Sequence, residues 1–288
     1  MEEISRKVKK LHFTSRKLVD TIFAGNYHSV FKGPGLEFDE VREYSDGDDT
    51  RFIDWNVTSR MGVPYTKTFR EEREVVLQVL VDTSSSLYFS SGHVNKRDLA
   101  GHLFAIVALA AVANNDKVGC LLFSDRIETQ IQPRKGKKHV LKQITQILSV
   151  KEGRKGSNLA LACKTASKTM KRRGICLILS DFRTNHYKTE LTLLARKHDV
   201  IAIRLTDPLD REFPASGLIH LEDPESGQTL NVMGTRSMRR QYHDFWEHER
   251  FLWLRRCQSA GVDTLEISTE DDPAVKLLHF FERRKKRK

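Results

Sequence analysis

Four largely apolar runs constrain this chain more than any other feature. They cover residues 75–81, 117–124 ("KVGCLLFS"), 174–181 ("GICLILSD") and 200–207 ("VIAIRLTD"). A strand with one wet face alternates apolar and polar residues, whereas a largely apolar run must be covered on both sides. Helical patterns lie between the runs, at 95–115, 137–148, 157–171 and 186–198, and a short alternating strand at 126–133 reads as an edge. This alternation predicts an α/β fold: a mostly parallel central sheet with helices on both faces. The longest apolar stretch, "LFAIVALAAVA" at 103–113, is too short to span a membrane and reads as a helix buried against that sheet.

The same patterns divide the chain into three parts. Residues 1–74 form a basic arm and a polar segment, broken at Gly33-Pro34-Gly35. Residues 75–207 form the α/β core. Residues 208–288 complete it with a hairpin around Pro224 to Gly227, a helix at 235–259, a strand near 262–267 and a basic tail. Tyr242, Phe245, Trp246 and Trp253 on that helix are expected in the core. Asp49 or Thr50 is expected to cap a short helix through Ser59, and Tyr44 and Trp55 to pack their segment against the core.

The net charge of +11 concentrates in "SRKVKK" near the start and "ERRKKRK" at the end. Such ends suit an acidic partner, but without interleaved aromatics they read as solvated tails. The four cysteines are far apart with no Cys-x-x-Cys pair, which excludes a zinc knuckle or a disulfide framework. The first residues lack an apolar leader, so a cytoplasmic protein is expected.

Oxygen-bearing side chains gather where the runs end, and in an open parallel sheet ligands bind beyond the carboxyl ends of the strands. Asp82, Ser84 and Ser86 alternate, so they share a side as strand turns into loop. Ser157 opens a helix, and Ser180 and Asp181 close the run from 174. Ser180 reads as an ordinary strand-end hydroxyl. Carboxylates and hydroxyls without His or Cys are hard ligands, suited to magnesium or manganese. Helix caps and turns use the same residue types, which is the competing reading. Two carboxylates leave a divalent ion with residual positive charge and a water-filled position that an acidic group of a partner could occupy.

Other chemistries fit less well. An aspartyl phosphotransferase would place a second carboxylate where Ser84 stands, and no Gly-x-Ser-x-Gly elbow is present. His243 and His248 are five apart on a helix, off one face. Asp46 to Thr50 lacks the sixth-position Gly and twelfth-position acid of an EF-hand. Nucleic-acid binding through the basic termini and magnesium-dependent phosphate hydrolysis stay open as alternatives.

Asp82-x-Ser84-x-Ser86, Ser157 and Asp181 together resemble the metal-ion-dependent adhesion site of von Willebrand factor A-like domains. Ser157 stands where those domains usually have Thr, and Leu87 where Met is common. The upstream residues Gly35, Glu37-Phe38, Arg42-Glu43-Tyr44, Gly47-Asp48-Asp49, Arg51-Phe52-Ile53-Asp54-Trp55 and Glu72-Arg73 resemble the signature of the domain-of-unknown-function 58 family. The resemblance implies a von Willebrand factor A-like, Rossmann-like fold. It also implies Asp82, Ser84, Ser86, Ser157 and Asp181 as ligands of Mg2+ or Mn2+, and a MoxR-type AAA+ ATPase as a partner. The expected function is a non-catalytic, metal-dependent protein-interaction module acting with that ATPase on a client protein.

Overall fold

The computed structural model describes residues 37–70, 75–150, 156–214, 217–222 and 228–287. The basic arm, Gly33-Pro34-Gly35, Glu72-Arg73 and the turn at Pro224 to Gly227 lie outside them. The chain forms two compact units, one of residues Lys32–Glu74 and one containing Val75–Lys288.

In the smaller unit β1 (Glu37–Glu43) pairs antiparallel with β2 (Tyr65–Arg70). The expected single helix between them is two pieces. Asp49 caps a 3-10 turn at Thr50–Phe52, and Asp54 caps α1 (Trp55–Met61) by accepting from the N–H groups of Asn56 and Val57. Asp54 also meets Lys67 at 3.2 Å, Asp48 meets Arg42 at 2.7 Å and Asp49 meets Arg51 at 2.6 Å. The acidic run at 46–49 is therefore a set of turn and cap ligands. Trp55 is 70% exposed, and α1 buries none of its side chains.

The larger unit is built on β3 (Val76–Asp82), β4 (Lys117–Phe123), β5 (Ile127–Arg134), β6 (Ile175–Ser180) and β7 (Asp199–Thr206). A hairpin of β8 (Leu218–Glu222) and β9 (Thr229–Met233) follows, then β10 (Asp263–Ser268). The six-stranded sheet runs β10-β7-β6-β3-β4-β5, parallel throughout except for β5 at the edge. Helices α2 (Lys96–Ala113), α3 (Lys137–Ser149), α4 (Leu159–Thr169), α5 (Lys188–Lys197), α6 (Arg236–Ser259) and α7 (Pro273–Arg287) complete the unit.

Alternate strand residues face opposite layers, which is why the runs are mostly apolar; Gln78 and Arg204, polar residues within them, are buried. Leu77, Val79 and Val81 of β3 pack with α2, α3 and α7, while Leu80 packs with α4, α5 and α6. The chain leaves β3 toward β4 and leaves β6 toward β7, so strand order reverses between the paired neighbours β3 and β6. That reversal opens a crevice at the carboxyl edge, flanked by the ends of the strands that carry Asp82 and Asp181.

Two expectations for the C-terminal part are met only in part. Residues 282–287 of "ERRKKRK" are helical, the end of α7. Arg284 among them is buried, while Glu282, Arg283, Lys285, Lys286 and Arg287 are exposed as expected. The apolar residues that α7 buries, Ala274, Leu277, Phe280 and Phe281, precede the charged run. Arg284 forms ion pairs with Asp199 and Asp263, at the starts of the neighbouring strands β7 and β10. The aromatics of α6 are only partly core. Trp253 is buried but Phe245 is 55% exposed, because the first half of α6 serves the sheet edge: Tyr242 donates its hydroxyl to the Leu209 carbonyl at 2.6 Å, and Trp246 lies under the Arg183 guanidinium.

Candidate metal centre

Three loops converge at the crevice. After Asp82, Thr83 turns the chain by donating its N–H and hydroxyl to the Phe123 carbonyl. The Ser84 N–H then donates to Asp82 Oδ1 at 2.9 Å, and the chain enters a 3-10 turn at Ser85–Tyr88. The second loop is fixed where Asn158 N–H donates to the Ser124 carbonyl and Thr184 Oγ1 to the Ser157 carbonyl, both at 2.7 Å. The third follows β6. There Phe182 takes a left-handed φ of 57°, a conformation that costs a residue with a Cβ. Its ring is held against Tyr187 and Trp253. The kink falls between Asp181 and Arg183, whose N–H donates to Asp181 Oδ1 at 3.3 Å.

These loops bring all five expected residues into one network. Ser157 Oγ donates to Asp82 Oδ2 at 2.9 Å, Ser84 Oγ and Ser86 Oγ are 3.2 Å apart, and the Ser86 hydroxyl is among the groups that lower the pKa of Asp181. Ser180, read from the sequence as an ordinary strand-end hydroxyl, is part of it: its Oγ donates to Asp82 Oδ2 at 2.7 Å and accepts from the Phe182 N–H.

The charge balance differs from the expectation of two carboxylates alone. Lys96 is wholly buried, with Nζ 3.1 Å from Asp181 Oδ2 and 3.4 Å from Asp210 Oδ2. Arg183 pairs with Asp210 and lies 3.6 Å from Asp181. Burial pushes Asp181 up, but the charges of Lys96 and Arg183, with bonds from Ser86 and Lys96, hold it well below the usual carboxylate range. Burial and the Asp181 charge push Asp82 up to about 6, against weaker pulls from Ser180 and Ser84. A sequence reading misses Lys96, Asp210 and Arg183. Lys96 stands beside Arg97 at a helix start, where a cation is ordinarily solvated; the only local signal at Asp210 is "DPLD", a capped turn after a buried strand.

The Asp82 shift has a testable sign. A carboxyl whose pKa is raised by folding stabilises most when protonated, so its contribution is lost as pH rises through the folded value. In metal-free protein, the unfolding midpoint of the wild type is expected to fall relative to Asp82→Asn as pH rises from about 4 to about 6, and to level off above that. Parallel curves would contradict this environment for Asp82.

A hard divalent ion fits these residues. Ligands adjacent on an octahedron with bonds of about 2.0–2.1 Å stand about 3 Å apart. The Ser84–Ser86 and Ser157–Asp82 separations of 3.2 and 2.9 Å match such edges. Among the described residues no cation contacts Asp82, although its carboxylate is wholly buried, and a buried charge without a counter-charge is costly. Ser85 Oγ is also buried without a partner among the described residues. Among the described residues no cluster of three or more His, Cys, Asp or Glu forms a metal cage, so the donor set is hydroxyl-rich and would leave coordination positions to water.

The family model described as "Protein of unknown function DUF58" matches residues 40–251. The chain belongs to that family. It is 28% identical over 288 residues to the uncharacterized protein Mb1516 of Mycobacterium bovis, covering 99% of this chain and 90% of that protein. The uncharacterized protein Rv1480 of Mycobacterium tuberculosis matches to the same extent. Among solved structures, the conserved hypothetical protein BatB from Bacteroides thetaiotaomicron is similar, with a TM-score of 0.50 at 14% identity over 74% of this chain and 99% of that one. That likeness concerns the fold. The VWA domain of SpRpn10 matches at a TM-score of 0.40 and 10% identity, over 72% of this chain and 94% of that one. The DUF58 membership agrees with the residues at 35–73 that resemble the family signature.

Proposed function

We propose that this DUF58 protein is a non-catalytic protein-interaction module that works through a divalent ion, Mg2+ or Mn2+, held by Asp82, Ser84, Ser86, Ser157 and Asp181. The observation that carries this reading is the gathering of the Ser157 hydroxyl and the Ser84 N–H on the buried Asp82 carboxylate, with the Ser84 and Ser86 hydroxyls 3.2 Å apart and Asp181 buried beside them, at the reversal point of the sheet. When bound, the ion would supply positive charge and an open coordination position. The three serines are neutral, so they orient the ion without cancelling its charge. Asp82 and Asp181 are buried and bonded, so they anchor it at depth. A carboxylate of a partner is the natural group to complete such a site.

The family resemblance supplies the candidate partner, a MoxR-type AAA+ ATPase, with a client protein as the target of the pair. We read the module as cytoplasmic. Its four cysteines are buried and free, and burial pushes the thiols of Cys120 and Cys257 up to about 12; reduced core thiols suit a reducing compartment. No helix among the described residues is long and apolar enough to cross a membrane.

The test is a binding assay against the purified MoxR-type ATPase of the same organism. Wild type in magnesium is expected to retain the ATPase, whereas wild type in chelator and Asp82→Ala in magnesium are expected to lose it. Equal retention in all three conditions overturns the metal-dependent reading.

A further inference from the structure

Lys96 breaks the local rules for its position. It is the first residue of α2, an 18-residue helix, and the positive end of a helix dipole disfavours a cation there. It is also wholly buried. The adjacent Arg97, by contrast, reaches the Ile147 carbonyl at 2.9 Å and covers the Tyr88 ring. A buried ammonium persists only where carboxylates pair with it. Here those are Asp181 and Asp210, which the chain supplies from 85 and 114 residues away.

Asp210 is held ready for this role. It ends the 3-10 turn Pro208–Asp210, where its Oδ2 accepts the Asp207 N–H at 2.9 Å and its Oδ1 pairs with Arg183. Asp207 is fixed in turn by the Ser91 N–H and the Thr269 hydroxyl. Lys96 Nζ thus lies between a fixed carboxylate outside the ligand set and one that belongs to it. Its distances to the two differ by little, 3.4 and 3.1 Å.

A divalent ion drawn to Asp181 would meet this ammonium as a like charge. We propose that Lys96 is the resident counter-ion of the centre, a positioning residue that holds Asp181 while no divalent ion is bound and passes to Asp210 when one arrives. Lys96 and Asp210 then set metal affinity with opposite signs. This inference rests on the metal-centre reading above. Removing the ammonium frees Asp181 for the ion. Neutralising Asp210 leaves Lys96 and Arg183 to Asp181 alone, which opposes the ion.

The experiment is a calorimetric titration of Mg2+ into the full metal-free chain, with the unfolding midpoint measured with and without Mg2+. Lys96→Met is expected to bind Mg2+ about tenfold tighter and Asp210→Asn about tenfold weaker, since one unit charge near the ion changes sign of effect between them. The Mg2+-induced rise in midpoint should be larger than wild type in Lys96→Met and smaller in Asp210→Asn. The double variant Lys96→Met/Asp210→Asn keeps the local charge balance if the single lysine variant fails to fold. It should bind tighter than Asp210→Asn. If wild type binds Mg2+ and loses it in Asp82→Ala, while the Lys96 and Asp210 variants match wild type or weaken together, the counter-ion role is overturned and the metal centre stands. If wild type and every variant bind no Mg2+, the metal-centre reading itself fails and takes this inference with it. Binding by Lys96→Met alone would make Lys96 a permanent occupant and overturn the exchange.

Discussion

Phe281→Ala is expected to lower the unfolding free energy by about 3–5 kcal/mol. Phe281 is buried in α7, edge-on to Phe280 at 5.3 Å, and belongs to the cluster that joins α7 to α2 and the sheet. Truncating it removes apolar surface and leaves a cavity that a rigid helix–sheet layer closes only in part. The exposed neighbour Arg283 provides the contrast: Arg283→Ala should change stability by less than about 0.5 kcal/mol. Urea unfolding of both variants reads the difference. A Phe281→Ala loss as small as that of Arg283→Ala would mean that α7 does not pack on α2 and the sheet.

That segment also shows where the sequence misleads. Ala274, Leu277 and Phe281 fall at helical spacing, so the apolar stripe of α7 was present, but the cations that follow it dominate the reading. The parallel strands were legible because burial on both faces leaves a signature in each run by itself. The expected strand at 174–181 is observed as Ile175–Ser180, and the one at 200–207 as Asp199–Thr206. Asp82, Ser84 and Ser86 were singled out by a local period of two, but that alternation is not what brings them together: β3 ends at Asp82 and Ser86 lies inside the 3-10 turn Ser85–Tyr88. Lys96 was not. Its burial depends on Asp181 and Asp210, which are distant in sequence, and no local pattern separates it from the solvated cations around it. The charges around Trp55 are the caps and ion pairs of its own segment.

Lys96→Met is expected to destabilise the metal-free protein by about 3–5 kcal/mol, the usual cost of removing one partner from a buried charge pair. Methionine matches much of the lysine stem in volume, so lost packing contributes little. What remains is Asp181 and Asp210 with Arg183 as their nearby cation. Asp210→Asn in the same background should recover part of the loss by removing one of the uncompensated charges, a non-additivity that a thermodynamic cycle measures directly. Urea unfolding in chelator provides all four corners of that cycle. A loss below about 1 kcal/mol, or strict additivity, would mean that Lys96 is solvated and that the charge network described around Asp181 is not formed.

The most direct measurement of the metal centre is the free Mn2+ signal in electron paramagnetic resonance as Mn2+ is titrated into the metal-free chain and into Asp82→Ala. Coordination by protein oxygens broadens that signal, so the bound ion is counted by its disappearance. Wild type should take up about one Mn2+ per chain, weakly, because most positions are left to water, and Asp82→Ala should take up none at the same concentrations. Identical titrations of the two proteins, or no uptake by wild type up to about 1 mM, would contradict the assignment of Asp82, Ser84, Ser86, Ser157 and Asp181 as a metal centre.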